Sequence, residues 1–285
     1  MSTAWVIART TVGDALRKRV LLVFLLIAVV MLFLSLALAY FSQREQLVTF
    51  KALAFWIVLL FGALIALTTS IFLIPAEIEK RTIYSILSKP VKRWEFFAGK
   101  FLGGAATVAV TTFLMALVLA VVVVMITARP PAGATEVLTA QTQQLNVGEW
   151  MQRAGRELAL IVRGMSVIYF ELVLITAIAT TLSLFLTPTV NFSVTALLFI
   201  VGLFQDVLAA WTRRGDLIIT KTLASVFYWI TPHFQDFNIM GNLIHPEVPL
   251  KVSPVLYAVQ VSAYGVVYAL AFLLVGILFF DTKEV

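Results

Sequence analysis

Five stretches of this 285-residue chain contain no Asp, Glu, Lys or Arg: residues 20–40, 52–76, 101–128, 172–205 and 252–280. A helix needs about 20 apolar residues to cross roughly 30 Å of hydrocarbon, so four of these runs fit one crossing each. The run 172–205 is too long for one, and Thr187-Pro188-Thr189-Val190-Asn191 is its only turn-like interruption. Proline disfavours helical geometry at the residue before it, which predicts two crossings joined there. Soluble domains carry about 25% charged residues; here the share is 13%, against 61% hydrophobic. One globular core could not hide that much apolar surface. The expectation is an all-α polytopic membrane protein, a single transmembrane domain over residues 1–285. Its six spans lie near 20–40, 53–74, 101–127, 165–187, 190–210 and 255–280.

The segments between the runs have patterns of their own. In residues 1–19, Trp5, Ala8, Val12, Ala15 and Leu16 share one helical face, while Arg9, Asp14, Arg17 and Lys18 lie on others. That pattern suits an N-terminal amphipathic helix in the headgroup layer. Arg17-Lys18-Arg19 before an apolar run imitates a secretory signal. The run is about 20 residues where a signal core has roughly 7–15, so it is expected to persist as the first span. Ser42, Gln43, Arg44, Glu45 and Lys51 mark a polar turn before the second span. Pro130-Pro131 ends the third, because proline lacks the N–H and clashes with the preceding turn. Residues 132–148 read as an external loop.

Asn146 with Glu149 three residues on is a helix start. Met151, Ala154, Leu158, Ile161 and Met165 then recur at helical spacing opposite Arg153, Arg156 and Glu157, which predicts a second surface helix. Residues 212–254 are polar and hold Pro232, Pro246, Pro249 and Pro254. Within them Ile219, Leu223, Val226, Phe227 and Ile230 form an apolar stripe, read as a short re-entrant external segment before the last span. Tyr228 and Trp229 would sit at its aromatic interface.

Six spans put both termini on one side. Arg17-Lys18-Arg19 and the basic residues of 80–100 fall on that side, which the positive-inside rule makes cytoplasmic. The whole-chain count is closer, 11 Lys and Arg inside against 10 outside, but the outer ones lie mostly in long loops, which weigh less. The net charge of +6 then serves anionic headgroups rather than nucleic acid.

Several chemistries are excluded. There is no cysteine, and the two histidines, His233 and His245, cannot alone hold a structural zinc. No Ser/His/Asp cluster, metal-binding helix or Gly-rich cofactor loop is present. A P-loop needs G-x-x-x-x-G-K-[ST] so that backbone amides, Lys and a Mg²⁺-binding hydroxyl meet the phosphates. The only Gly-Lys pair is Gly99-Lys100; Phe101 follows it and Trp94 stands where the first Gly belongs.

Residues 74–104 hold nine of the 36 charged residues in an otherwise apolar chain. Pro75 suits a first helical turn, and Glu77 and Glu79 sit where the helix dipole favours anions. Ile78, Ile83, Ile86 and Leu87 give a discontinuous apolar side; Lys80, Arg81 and Lys89 give a basic one. Ser88-Lys89-Pro90 ends the helix, and Lys92, Arg93, Trp94 and Lys100 anchor the next span. On charge alone this is a solvated loop tying two spans to the lipid surface.

The order of residues adds a second reading. A Glu directly after a span, a short helix, then Leu-Ser-x-Pro-Val-x-Arg and a Gly-Lys opening the next span resembles the ABC-2 class of ABC transporter permeases. The matching residues are Glu77, Thr82, Leu87, Ser88, Pro90, Val91, Arg93, Gly99 and Lys100. One departure is Arg81, where the family often has Gly. The resemblance extends over the N-terminal helix, the six spans and the re-entrant segment. It implies a permease subunit, an exporter, in a bacterial-type cell membrane. Such a subunit works with a second copy or paralogue and with a separate ABC ATPase that holds ATP and Mg. The permease binds no cofactor, metal or nucleic acid and carries no catalytic residue. Glu77, Glu79, Lys80, Arg81, Thr82, Ile83, Leu87, Pro90 and Arg93 would form a cytoplasmic coupling helix docked on that ATPase. The alternative is an ATP-independent secondary transporter or channel, which leaves the charged segment without a task.

Two further features stand out. Gly99 and Gly103 form a G-x-x-x-G continued by Thr107 and Thr111, a face that lets helices approach closely in lipid; it serves packing within the subunit or a dimer contact. Glu171 and Asp206 are the only acids inside predicted spans, and an ionisable group there is a functional hypothesis by default. With Thr189 as the turn of a straight hairpin, both lie roughly 26 Å from it, at one depth. They are therefore candidates for the outer mouth of a translocation route, with Arg163 or Arg213 as counter-charge.

Overall fold

The computed structural model describes residues 3–40, 46–79, 92–128, 147–214, 221–222, 225–228, 231–238 and 253–282. The described secondary structure is helical throughout. Helix α1 spans Thr3–Leu16, α2 Arg19–Tyr40, α3 Gln46–Ser70, α4 Pro75–Glu79, α5 Arg93–Thr127 and α6 Val147–Leu182. Helices α7 (Pro188–Leu203) and α8 (Gln205–Arg214) follow, then a short 3-10 helix at Phe234–Phe237 and α9 at Pro254–Thr282. Five helices are long and apolar enough to cross a membrane, and the bent pair α7–α8 makes a sixth if it is one span.

Several boundaries differ from the expectation. Helix α3 begins at Gln46, so Lys51 lies inside a helix, buried, and not in a polar turn. Helix α5 begins at Arg93 and runs 35 residues, about 50 Å at ~1.5 Å per residue; the expected span 101–127 is its outer part. The second surface helix and the fourth span are one continuous helix, the 36-residue α6. No proline or glycine pair interrupts the stretch, and of its apolar stripe Ala154, Ile161 and Met165 are buried in the bundle while Met151 is exposed. The fifth span is not straight: the chain turns by 69° between α7 and α8. The turn before it falls at 183–187, and Pro188 at the first position of α7 is preset for a helix start.

Helix α6 is the axis of the bundle. Helices α3, α5, α7 and α9 and the 3-10 helix all pack on it, and every residue from 171 to 181 is buried. Contacts along α6 set the directions of its neighbours. A β-carbon at Gly265 of α9 would lie 3.4 Å from the Phe170 carbonyl, and one at Gly276 would lie 3.2 Å from Thr181 Oγ1. Thr181 Oγ1 also donates to the Phe272 carbonyl at 2.9 Å. Helices α6 and α9 therefore run parallel. Two parallel membrane-length helices begin on the same face, so the chain between them must cross back, and α7–α8 is the crossing. This argues for six crossings rather than five with a re-entrant loop.

Sidedness labelling tests that count in a chain without cysteine. Phe185→Cys, in the turn after α6, and Val207→Cys, in α8, are expected to react with an impermeant thiol reagent from opposite sides. Labelling of both from one side would make α7–α8 re-entrant.

Candidate coupling and translocation sites

At one end of the bundle the charged segment is braced. Lys100 Nζ, on α5, donates to Glu77 Oε1, on α4, at 2.6 Å. Lys100 is 7% exposed, and its Nζ also lies 5.7 Å from the centre of the Phe96 ring. Beside the pair, Leu73, Ile74, Phe96, Phe97, Leu184 and Phe280 form a buried knot. Phe280 of α9 lies 5.9 Å from Phe96 and 6.0 Å from Phe97 of α5, centre to centre. The foot of α5 is thus tied to the ends of α3, α6 and α9. Of the residues expected to couple, Glu77, Glu79 and Arg93 stand in helices; Lys80, Arg81, Thr82, Ile83, Leu87, Ser88, Pro90 and Val91 lie outside the described residues.

Gly99 and Gly103 receive α1 of the same chain. A β-carbon at Gly99 would stand 2.8 Å from the Ala4 carbonyl, and one at Gly103 2.7 Å from Thr11 Cγ2 and 3.0 Å from the Ala8 carbonyl. Small residues let two backbones meet in lipid, and here they seat an N-terminal helix. The buried face of α1 is accordingly Ala8, Thr11 and Ala15, while Trp5 is 58% exposed.

At the other end, Lys51 Nζ donates to Glu157 Oε2 at 2.9 Å, joining α3 to the N-terminal part of α6. Sequence reasoning missed this pair. The two residues are 106 positions apart, and the only signal was a lone lysine at the edge of an apolar run.

The structure separates Glu171 and Asp206. Glu171 is 2% exposed, and its Oε1 has no hydrogen-bond partner, so Arg163 does not pair with that oxygen. The Arg213 side chain lies outside the described residues. Asp206 is exposed, in the first turn of α8. Its N–H donates to Gln235 Oε1 at 2.8 Å, and Gln235 Nε2 donates back to Asp206 Oδ2. Equal depth assumed one straight helix; the 69° turn at Phe204 carries Asp206 off the α7 axis. Nearby, the Asp236 carboxyl is held above the ordinary carboxylate range by desolvation, with His233 opposing and Asp206 adding to the rise. Among the described residues no three His, Asp or Glu side chains converge as metal ligands.

A bundle of five membrane-length helices and a bent pair, with a braced, charged segment after its second long apolar helix and polar groups buried among the helices, defines a multi-pass membrane protein of the transport class. Compared with known families, residues 5–285 match the ABC-2 family transporter proteins, and the chain belongs to that family. A comparison with curated proteins finds no match.

The brace predicts an asymmetry. Removing one partner of a buried ion pair costs about 3–5 kcal/mol because the other charge is stranded. The Lys100 side chain is 9% exposed and that of Glu77 22%. Glu77→Gln, which strands the better-buried charge, is expected to lower the detergent-solubilised melting temperature more than Lys100→Met. Equal or reversed losses would show that the pair lies in water.

Proposed function

We propose that this chain is the permease subunit of an ATP-driven exporter, paired with a second copy or paralogue and driven by a separate ABC ATPase. ATP and Mg belong to that partner, because the sequence holds no P-loop. The observation that carries the reading is the Lys100–Glu77 brace at 2.6 Å. It closes the base of the segment 80–91, so a push on that segment reaches α3 and α5 together. Through the Phe96–Phe97–Phe280 knot the same push reaches α9. A docking segment on Glu77, Glu79, Lys80, Arg81, Thr82, Ile83, Leu87, Pro90 and Arg93 would use this linkage as a lever. Both termini are then cytoplasmic, with α1 packed beside the lever on Gly99 and Gly103. Glu171 belongs to the route through the bundle, while Asp206 holds the outer segment in place.

Affinity purification of the tagged chain from its own membrane is expected to bring down an ATPase. Proline at Ile83 should leave insertion and protein level intact while cutting stimulation of ATP hydrolysis at least tenfold. A chain that transports with no ATPase attached, or an Ile83→Pro protein with unchanged stimulation, would favour an ATP-independent transporter instead.

A further inference from the structure

Residues 231–238 enter the bundle as an aromatic wedge. Phe234 and Phe237 are 1% and 2% exposed, and each ring fills a space that a glycine leaves open. A β-carbon at Gly202 of α7 would lie 3.2 Å from Phe234 Cγ and 2.8 Å from the Pro232 carbonyl; one at Gly265 of α9 would lie 3.0 Å from Phe237 Cζ. Phe234 also stands edge-on to Phe199 at 5.3 Å, and Phe237 lies 6.0 Å from Tyr264. The Phe170 carbonyl is 3.4 Å from the same Gly265 position, so Phe237, α9 and α6 meet at one level. The next residue along α6 is Glu171.

Among the described residues, no charge of either sign lies beside Glu171 to account for its burial. Of the helices packed on α6, α3 carries only Lys51, bound to Glu157 about four turns further out. Helix α5 carries Arg93, Glu95 and Lys100, all toward its inner end, and Lys100 is bound to Glu77. Helix α7 carries none; α9 carries Asp281 at its inner end and the phenols Tyr257, Tyr264 and Tyr268. The wedge itself brings His233 and Asp236. A buried acceptor left unmet costs about 1–3 kcal/mol, and an ionisable group at membrane depth marks a substrate or ion path by default. Here Phe237 and α6 meet at Gly265, one residue before Glu171, and the Glu171 Oε1 is buried without a hydrogen-bond partner.

The bonds that hold the wedge are of a kind that water can replace. Gln235 clasps Asp206, and Gln205 Nε2 donates to Thr231 Oγ1 at 2.5 Å. The His233 N–H donates to Tyr264 Oη, and Tyr257 Oη donates to the Asp236 carbonyl, both at 3.0 Å. We propose that 231–238 is a removable outer seal, and that Glu171 is the binding group of the site beneath it, taking ligands that bring a positively charged hydrogen-bond donor. This rests on the chain forming a transport route, but the test needs neither ATP nor the ATPase, so the two readings fail separately.

The reporter is Leu174→Cys, about one turn inward of Glu171 on α6, in the otherwise cysteine-free chain and probed with a small impermeant thiol reagent from outside. Labelling should be slow with the wedge intact and at least tenfold faster with Phe234→Ala and Phe237→Ala together. Gln235→Ala, which loosens the clasp and leaves the aromatic packing, should give a smaller rise and decides the matter if the double variant does not fold. Methylammonium should slow labelling of the opened protein several-fold, and Glu171→Gln should abolish that protection. Unchanged rates in the opened variants overturn the seal; protection that is absent, or that survives Glu171→Gln, overturns the binding group.

Discussion

The encirclement of α6 is the constraint on which the rest of the fold depends. A helix buried on all sides over residues 171–181 cannot leave a polar side chain to water or headgroups, so each needs an internal answer. Thr176 and Thr180 donate to carbonyls one turn back, at 2.9 and 2.7 Å, and Ser183 donates to the Thr180 carbonyl at 2.7 Å. Asn191 of α7 reaches across to the Ala179 carbonyl at 2.9 Å. These hydroxyl and amide groups are satisfied without any charge. Within 171–181 the Glu171 Oε1 is the buried side-chain oxygen left without a hydrogen-bond partner, which is why the proposed route is drawn through it.

Among the described residues two ion pairs bracket the bundle, Lys51–Glu157 at one end and Lys100–Glu77 at the other. Without a hydrophobic drive between helices in lipid, association rests on close packing and on polar contacts. Lys51–Glu157 joins helices 106 positions apart, and Lys100–Glu77 ties α5 to the short helix before it. The glycines complement them. Gly99 and Gly103 admit α1 against α5, Gly104 brings α5 close to Thr176 of α6, and Gly202 and Gly265 admit the wedge. The end that holds Lys100 is thereby tied together across α3, α5 and α9, whereas among the described residues 231–238 is held by two buried rings and a few hydrogen bonds.

What could be read from the sequence follows the range of each interaction. The spans and the Thr187-Pro188 break were legible because hydrocarbon thickness and proline geometry act locally. The join of a surface helix to a span in α6 was not. A helix that continues past the membrane looks amphipathic whether it lies on lipid or stands against a neighbour. Lys51 and Glu157 each read as an ordinary flanking charge until folding placed them 2.9 Å apart. The G-x-x-x-G announced a close approach but not its partner, because the helix that fills it, α1, lies far earlier in the chain. The wedge was hidden for a related reason: Phe234 and Phe237 sit in a polar, proline-rich stretch, and the glycines that receive them lie on other helices.

The parallel course of α6 and α9 carries the crossing count, the level of Glu171 and the position of the seal. Phe185, just past α6, and Phe279, near the end of α9, stand edge to face with ring centres 5.0 Å apart, and both are exposed. The direct measurement is cross-linking of Phe185→Cys with Phe279→Cys by the shortest bifunctional thiol reagent in native membranes. The account predicts rapid, near-complete intrachain cross-linking of this pair and none between Phe185→Cys and Val255→Cys, at the other end of α9. Cross-linking to position 255 instead of 279 would make α6 and α9 antiparallel and contradict the fold on which the proposed route is built.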